Sequence, residues 1–389
     1  MYNRHKSSLL LPDLSEQDVH MPYRTYKTYT VKAQLEFQNV NRKGKRMSKF
    51  GKPADIRFGI IGYGGSFNIP AKHVKDCIQS GMTHVAVSEI DPERLKAAKE
   101  DFPDVEVYDS VEKMLKKSDI DLLVIITPHN THAPIALQCL NAGKHVVCEK
   151  PLAISTDECD QMIAAAEKNN LLLTTYHNRH WDGCILKAME TVRSGNLGDI
   201  VHLNAQKGAY SKPREWWRSS KSISGGILFD WGVHLLEYAF QIIDSRVTEI
   251  SGFSKTGFWN GESSWKDDAN EDEVSTVIRF ENGVWMTLTV SSLTHTPSPY
   301  WIEIAGTEGH YAFNGKKWEL TRHDGTEPRI TNGESPPNKH QLFYQNVVDH
   351  LVSDTPLVIS PDYARRLIHV LDLAYQSAER GRSLKPRYS

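Results

Sequence analysis

The sequence predicts an α/β protein in which a helix-covered parallel sheet is followed by an α+β part with a mainly antiparallel sheet. From Ile56 onward, apolar runs such as "IRFGIIG" and "DLLVIIT" alternate with amphipathic stretches such as "DPERLKAAKED". This alternation is typical of parallel strands that are buried on both faces. After about Tyr176, alternating runs such as "EVSTVIRF" and the Asn-Gly turn in "FENGVW" predict antiparallel hairpins.

We divide the 389 residues into three segments, because a chain of this length is expected to hold more than one core. Residues 1–54 form an N-terminal extension, 55–176 a dinucleotide-binding domain, and 177–389 a substrate-binding and oligomerisation domain. The extension is polar and carries the basic run Arg42–Arg46. It is either a flexible tail or an arm that packs on a neighbouring subunit.

Strand and helix boundaries in the dinucleotide-binding domain follow from the spacing of the hydrophobic residues. Gly, Pro, Asp and Asn residues mark the turns and helix ends between them. The predicted strands are 56–64, 84–90, 105–108, 121–128, 145–151 and 171–178, and the predicted helices are 70–80, 91–101, 110–118, 132–143 and 155–170. In the remaining segment the predicted strands are 198–210, 247–258, 273–292 (a hairpin), 300–315 and 317–325, and the predicted helices are 185–195, 225–243, 340–354 and 360–382.

Composition excludes several classes of function. With a formal net charge of −2, the chain lacks the excess of positive charge that attracts nucleic acid. No apolar run has the length of a membrane span, and the N-terminus lacks the apolar core of a signal peptide. The five cysteines are scattered without a CxxC pair, which favours free thiols in a reducing compartment. We therefore expect a cytoplasmic protein.

A glycine-rich turn follows the first predicted strand. Gly62-Tyr63-Gly64 allows a tight turn and a close approach of a pyrophosphate, and the next helix offers its N-terminal amides to that anion. The third glycine of the usual pattern is replaced by Phe67. We assign Gly62, Gly64, Gly65, Ser66 and Phe67 to cofactor binding, although this turn by itself fits an ordinary strand-to-helix connection as well.

Glu89 ends the second predicted strand, twenty-five residues after Gly64. A carboxylate at this place accepts hydrogen bonds from the adenosine ribose hydroxyls and repels a 2′-phosphate. Glu89 is therefore assigned to the cofactor, and NAD is favoured over NADP. The alternative is a solvated charge at a strand end.

Six stretches together resemble the Gfo/Idh/MocA family of oxidoreductases, named for glucose-fructose oxidoreductase, inositol dehydrogenase and rhizopine catabolism. They are "GIIGYGG", "ITPHNTHAPIALQCLNAGKHVVCEKPLA", "NRHWDG", "SGGILFDWGVHLLE", "ENGVWMTL" and "IAGTEGHYAF". The resemblance runs from about Ile56 to the C-terminus. It implies a Rossmann domain followed by a domain whose open sheet forms dimers or tetramers, hence a homo-oligomer.

The resemblance also implies residue roles in the first domain. Thr127, Pro128 and His132 match the loop that lines the cofactor. Glu149 and Lys150 match the Glu-Lys-Pro motif beside the nicotinamide, where the peptide bond before the proline is often cis.

Lys150, Asp230 and His234 are the predicted catalytic group. Asp230 and His234 are four residues apart in what reads as a helix and so share one face. Oxidation of a secondary alcohol needs a proton acceptor at oxygen while hydride leaves carbon. Either His234 or Lys150 serves as that acceptor, and Asp230 orients the histidine or binds a neighbouring hydroxyl.

Metal binding is the competing interpretation of these residues. Asp230 and His234 also have the spacing of two metal ligands, and so do His129 and His132 in an HxxH pattern. No further ligand follows at a telling spacing, so no metal is predicted.

The substrate is expected to be a carbohydrate or glycoside. All nine tryptophans lie beyond residue 180, and aromatic faces pack against sugar rings, although sheet packing explains most of them. The substrate-binding candidates are Asn178, Arg179, Tyr210, Trp217, Arg218 and Trp231.

The predicted function is the NAD-dependent oxidation of a secondary hydroxyl of a sugar, polyol or glycoside, with C3 of a glucoside as the suggestion from analogy. Two alternatives remain open. One is a glycosidase or lyase that retains NAD and oxidises its substrate only transiently. The other is a non-catalytic NAD-binding sensor, which the presence of Lys150, Asp230 and His234 disfavours.

Overall fold

The computed structural model describes residues 50–64, 69–325 and 327–389. The predictions for residues 1–49, including both interpretations of the extension, lie outside these residues. The described remainder of the extension is short: Phe50 contacts the ring of His145, and Pro53–Asp55 form one 3₁₀ turn.

Six parallel strands form the first sheet, in the spatial order β3-β2-β1-β4-β5-β6. They are β1 (Arg57–Ile61), β2 (Thr83–Ser88), β3 (Glu106–Tyr108), β4 (Leu122–Ile125), β5 (His145–Cys148) and β6 (Leu173–Thr175). The helices between them are α1 (Ile69–Gln79), α2 (Pro92–Asp101), α3 (Val111–Lys117), α4 (His132–Asn141) and α5 (Thr156–Lys168). The central strands β4 and β5 are buried along their whole length, as continuous apolar runs predict. The strand order reverses between β1 and β4, which creates a crevice at their carboxyl ends.

Eight strands form the second sheet, in the order β14-β13-β12-β11-β7-β10-β9-β8. They are β7 (Ile200–Gly208), β8 (Val247–Lys255), β9 (Glu273–Phe280), β10 (Trp285–Ser291), β11 (Ile302–Gly306), β12 (Gly309–Phe313), β13 (Lys317–Asp324) and β14 (Glu327–Glu334). The predicted α/β class with a mainly antiparallel second sheet is confirmed, and the pair β7–β10 is parallel. The division of the chain at residue 176 stays a prediction.

Five helices accompany the second sheet. They are α6 (Gly183–Arg193), the single turn α7 (Lys221–Ser224), α8 (Gly232–Ile242), α9 (Leu342–Ser353) and α10 (Pro361–Arg380). Helix α8 is buried on nearly all sides because almost all of its residues are apolar. The polar His234 and Glu237 on this helix are therefore buried as well.

The predicted helix over 225–243 is wrong at its beginning. Gly225 and Gly226 have φ values of +87° and +119°, so the chain turns sharply there instead of continuing a right-handed helix. A 3₁₀ turn over Ile227–Phe229 follows, and α8 begins only at Gly232. Asp230 thus lies in the turn that precedes the helix, where it is free to face Lys150 across the site.

Helix α10 contacts both sheets. It packs on β8 and α8 in one part of the molecule and on α5 and β6 in the other. At Gly252 of β8, a Cβ atom would lie 1.8 Å from the carbonyl oxygen of Ala374, so this close contact requires glycine. Beyond the helix, Leu384 forms a bridge with Ile250.

Candidate active site

The glycine turn lies at the carboxyl end of β1. Gly62 has φ +94°, and a Cβ there would lie 2.4 Å from the carbonyl oxygen of Ile126, so the fold itself requires this glycine. A Cβ at Gly64 would meet no atom of residues 50–64, 69–325 or 327–389 within 4 Å. These residues therefore leave room for a ligand beside Gly64. Gly65, Ser66 and Phe67 lie outside the described residues.

Glu89 follows β2 at the same edge of the sheet. Its Oε2 accepts a hydrogen bond of 2.6 Å from the amide of Tyr63, and its Oε1 accepts one of 3.0 Å from the amide of Asp91. The carboxylate therefore stabilises the glycine turn directly. Because a carboxylate oxygen can accept more than one hydrogen bond, these contacts leave acceptor capacity for ribose hydroxyls.

His132 connects two loops of the crevice. Its Nδ1 lies 2.7 Å from the carbonyl oxygen of Pro151, and its Nε2 lies 2.9 Å from that of Thr127. The side chain is fully buried, and burial lowers its pKa. Its place is consequently behind the Thr127–Pro128 loop, which it holds against the Lys150–Pro151 turn, and not on the surface of the crevice. The Lys150–Pro151 peptide bond is cis, as the family resemblance implies.

The buried side chains of His73 and Tyr344 hold the carboxylate of Glu149 in place. Its Oε1 lies 3.1 Å from His73 Nε2, and the Tyr344 hydroxyl lies 2.6 Å from His73 Nδ1. Burial alone would raise the pKa of Glu149, but the hydrogen bond and charge of His73 and the charge of Lys150 lower it. Glu149 also accepts a hydrogen bond from the amide of Lys150, so it fixes the backbone that carries the lysine.

Lys150, Asp230 and Arg218 form the centre of the site. Asp230 Oδ1 accepts a hydrogen bond of 2.9 Å from Lys150 Nζ and one of 3.0 Å from Arg218. Burial alone would raise the pKa of Asp230, but the positive charges of Lys150 and Arg218 outweigh it and hold this pKa below its ordinary value. Asp230 is therefore ionised and aligns the ammonium group of Lys150.

Aromatic side chains support Arg218. Its guanidinium lies 4.4 Å from the ring centre of Trp217 and 3.3 Å from Nε2 of His129. The Nδ1 of His129 lies 2.9 Å from the carbonyl oxygen of Ser224. Burial, followed by the charges of His132 and Lys150, lowers the pKa of His129. A neutral His129 can therefore accept from Arg218 while it donates to Ser224.

His234 lies beside this centre without a bond to Asp230. Among the described residues its Nδ1 is buried and has no hydrogen-bond partner, so the expectation that Asp230 orients the histidine is not met. Burial, followed by the charges of Lys150 and Arg179, lowers the pKa of His234. The imidazole is neutral at neutral pH and can accept a proton.

Two cations and two indole rings line the side of the site next to His234. The ring of Trp231 lies 5.8 Å from that of His234 and 5.3 Å from that of Trp301. Arg179 lies 5.0 Å from the centre of the Trp231 ring and pairs with Asp182. Lys207 Nζ lies 4.5 Å from the centre of the Trp231 ring and 4.9 Å from that of Trp301. Cation–π contacts thus hold both charges at this wall.

Behind His234 lie two further buried histidines. Neither ring nitrogen of His177 has a partner among the described residues, and the His177 ring centre lies 6.5 Å from that of His234. His180 Nδ1 lies 2.6 Å from Glu237 Oε1, and Tyr363 and Gln241 also donate to Glu237. The partnerless nitrogens mark a place where internal water is expected, since buried polar groups otherwise remain unsatisfied.

Tyr210 and Asn178, two of the predicted substrate-binding residues, contact side chains outside the Lys150–Asp230 centre. Tyr210 stacks on His295 at 3.9 Å and packs near Phe258 and Trp259. No contact between Tyr210 and the Lys150–Asp230 pair is seen over residues 69–325. Asn178 donates toward His340, which in turn contacts Asp182, so it belongs to the support of Arg179.

The HxxH pair is not arranged as a metal site, because the carbonyl and guanidinium contacts of His129 and His132 occupy their ring nitrogens. Over the described ranges, no group of three or more His, Cys, Asp or Glu side chains is placed to hold a metal ion. In the same ranges, no helix is both long and apolar enough to cross a membrane.

Sequence reasoning missed Lys207, His177 and Trp301. Leu203 and Ala205 are buried in β7, so the two-residue period places Lys207 on the same inward face. The alternation in the sequence was therefore enough to predict that Lys207 lies on the inward face. The position of Trp301 carried no local signal, because it depends on the pairing of β11 with β7.

Comparison with known proteins identifies both parts of the chain. Residues 56–177 match the family described as "Oxidoreductase family, NAD-binding Rossmann fold", and residues 185–312 match "GFO/IDH/MocA C-terminal domain".

Among curated relatives, the "1-carboxy-3-chloro-3,4-dihydroxycyclo hexa-1,5-diene dehydrogenase" of Comamonas testosteroni is 31% identical over 62% of this chain and 59% of its own length. The "scyllo-inositol 2-dehydrogenase (NADP(+)) IolW" of Bacillus subtilis is 33% identical over 51% of this chain and 54% of its own length. The chain thus spans little more than half the length of these two relatives. Among solved structures, a levoglucosan dehydrogenase in complex with NADH and levoglucosan has a TM-score of 0.73 at 21% identity, over 85% of this chain and 99% of that one, which establishes a common fold.

Proposed function

This chain belongs to the Gfo/Idh/MocA family of oxidoreductases, and from that premise we propose that it is a nicotinamide-dependent dehydrogenase of a sugar, polyol or glycoside. The observation that carries the proposal is the 2.9 Å hydrogen bond from Lys150 Nζ to Asp230 Oδ1. It aligns an ammonium group at the carboxyl end of β5, beside the crevice in which this fold binds dinucleotides.

The described residues of the crevice fit a nicotinamide dinucleotide. The positive φ of Gly62 and the room that the described residues leave at Gly64 support the approach of a pyrophosphate to the backbone, and we propose that Glu89 accepts hydrogen bonds from the ribose hydroxyls. When bound, the cofactor accepts or returns the hydride. We propose NAD, because a carboxylate at 89 would repel a 2′-phosphate. One relative is named for NADP(+), so cofactor preference needs its own measurement.

The residues of the chain handle the proton. Lys150 hydrogen-bonds the reacting oxygen and stabilises negative charge that develops on it during oxidation. Asp230 holds the ammonium group in place through its hydrogen bond to Lys150 Nζ. His234 is neutral because of burial and the nearby cations, and it accepts the hydroxyl proton. Arg218 and the indole rings of Trp217 and Trp231 orient the sugar.

The direct test replaces Lys150. Lys150→Ala should abolish dinucleotide reduction while cofactor binding, followed by fluorescence titration, remains. Lys187→Ala, at a lysine that pairs with Glu190 elsewhere on the molecule, is the matched control. Normal turnover in Lys150→Ala would overturn the proposed mechanism.

Cofactor choice is tested at Glu89. Glu89→Ala should reduce the ratio of kcat/KM for NAD to that for NADP, because it removes the charge that rejects the 2′-phosphate. If that ratio is unchanged, Glu89 serves only the Tyr63 and Asp91 amides.

The substrate is tested with a panel of hexoses, inositols, levoglucosan and glucosides. Names of relatives include a scyllo-inositol dehydrogenase and a dehydrogenase of a carboxylated, dihydroxylated ring. For a glucoside we propose oxidation at C3, which NMR of the product would assign. Turnover without accumulation of reduced cofactor, in protein that releases NAD on denaturation, would instead favour transient oxidation.

We also propose that the protein is a homo-oligomer. Residues of β7 that alternate with the buried Leu203 and Ala205 face away from the helices, and there His202 stacks on the 39% exposed Trp285. A sheet face of this kind suits a second copy of the chain. Light scattering during size-exclusion chromatography tests this, and a monomer would refute it.

A further inference from the structure

Lys207 is a cation that the proposed reaction does not use. It is half-buried on the inward face of β7, and no carboxylate lies within ion-pair distance of it over the described residues. Its Nζ is held between two indole rings, 4.5 Å from the centre of Trp231 and 4.9 Å from that of Trp301. Cation–π contacts only partly replace the water and counter-ion that such an ammonium group loses.

The neighbouring charges do not balance Lys207. Arg179 approaches the same two rings, at 5.0 Å and 6.0 Å, and its charge is matched by Asp182 at 3.0 Å. Burial, followed by repulsion from Arg179, lowers the pKa of Lys207. This wall of the site therefore carries one unmatched positive charge.

The Trp231 ring connects the unmatched charge of Lys207 to the reacting groups, because it contacts both Lys207 and His234. Trp231 directly follows Asp230 in the chain, and its ring lies 5.8 Å from that of His234. The charge of Arg179 is also near enough to lower the pKa of His234. A ring-sized substrate bound at Lys150 and His234 would extend from them along the Trp231 face toward Lys207.

We propose that the substrate carries a carboxylate and that Lys207 binds it. This inference rests on the proposed function, because it names the substrate class of the same site. One carboxylate balances one unmatched positive charge, whereas a phosphate dianion would exceed it. The indole rings pack against the ring of the substrate, and the carboxylate completes the coordination of the ammonium group. Uronic acids, aldonic acids and carboxylated cyclic polyols have this chemistry.

The experiment uses pairs of probes that differ only at C6, where the acid has a carboxylate and the sugar a hydroxymethyl group: glucuronate with glucose, and galacturonate with galactose. Glucose 6-phosphate is the corresponding phosphate probe. Binding to the cofactor-loaded protein is followed by tryptophan fluorescence, and turnover is followed by NADH formation. The wild type should favour the acid of at least one pair by about 10- to 100-fold in Kd or kcat/KM, the size expected for a hydrogen bond to a charged group.

The variants assign this preference to Lys207. Lys207→Met should lower the acid-to-neutral ratio to near one, mainly through KM, and Lys207→Arg should restore most of it. Lys187→Met is the matched control, because Lys187 also lies over an indole ring, that of Trp318 at 5.7 Å, but pairs with Glu190. This control should keep the wild-type ratio.

Each outcome decides one proposal. Acid binding that depends on Lys207, without any reduction of NAD or NADP, would support this inference while the proposed function fails. Turnover of neutral sugars with no preference for their acids would overturn the inference and leave the function intact. A preference for glucose 6-phosphate over glucuronate, an unchanged ratio in Lys207→Met, or no binding of any acid would each overturn the carboxylate assignment.

Discussion

His177 should make the stability of the protein depend on pH in a way that a single variant can reveal. The imidazole is 1% exposed, and neither of its nitrogens has a partner among the described residues. Burial lowers its pKa to about 4, whereas an unfolded chain gives a histidine a pKa of about 6.5. Between these values the unfolded state binds the proton and the folded state does not.

Proton linkage gives the direction and the magnitude of this change in stability with pH. The folded protein keeps its full stability above about pH 6.5 and loses it as the pH falls, because protonation then favours the unfolded chain. With a folded-state pKa of about 4, His177 alone should cost about 2 kcal/mol between pH 7 and pH 5, and about 3 kcal/mol in all well below pH 4. Other buried histidines with lowered pKa values, such as His234, act in the same direction.

His177→Leu removes this one contribution. Urea denaturation at pH 7 and pH 5, at fixed protein concentration, should give a pH-dependent loss of stability that is smaller in the variant by about 2 kcal/mol. His323→Leu is the control, because His323 is an exposed histidine of β13. Equal pH dependence in His177→Leu and the wild type would refute the reasoning, because it would mean that His177 takes up its proton in the folded state.

The remaining predictions concern the site and the packing of the two sheets. Asp230→Asn should lower kcat by about 10²- to 10³-fold with cofactor binding retained, because Lys150 loses the carboxylate that aligns it; steady-state kinetics and calorimetric titration with NAD would check this, and an unchanged kcat would contradict it. Gly252→Ala should destabilise the protein by about 3 kcal/mol or more, because its Cβ would lie 1.8 Å from the Ala374 carbonyl oxygen. Gly261→Ala, where a Cβ meets no described atom within 4 Å, should leave the melting temperature nearly unchanged.

The dinucleotide-binding half could be predicted from the sequence because its local and global signals agree. Continuous apolar strands such as β4 admit only a position covered on both faces, and residues such as Asp91 and Ser155 mark helix starts by capping them. The last strand, β14, was missed since its residues are almost all exposed, which leaves no apolar alternation to recognise. Strand β14 is extended because it pairs with β13, and its own sequence does not show a strand pattern.

The catalytic group was predicted in part. The motif around Lys150 and the family resemblance led to Asp230 and His234, and Lys150 and Asp230 are in contact. The sequence did not indicate that Arg218 and not His234 is the second partner of Asp230. The positive φ angles of Gly225 and Gly226 break the longer predicted helix, and Asp230 lies in the turn before the helix that carries His234. Lys207 acquires its surroundings from Trp301, which is distant in sequence and near only through strand pairing.

Helix α10 limits how the crevice can open. It is a single element of 20 residues that packs on β8 and on α5, and just past its midpoint Asp372 accepts hydrogen bonds from Thr156 at the start of α5. A hinge rotation of one sheet relative to the other would have to bend this helix or separate it from β8 or from α5. Substrate and cofactor should thus enter by rearrangement of side chains and of loops at the rim, and heating should melt both sheets in one cooperative step.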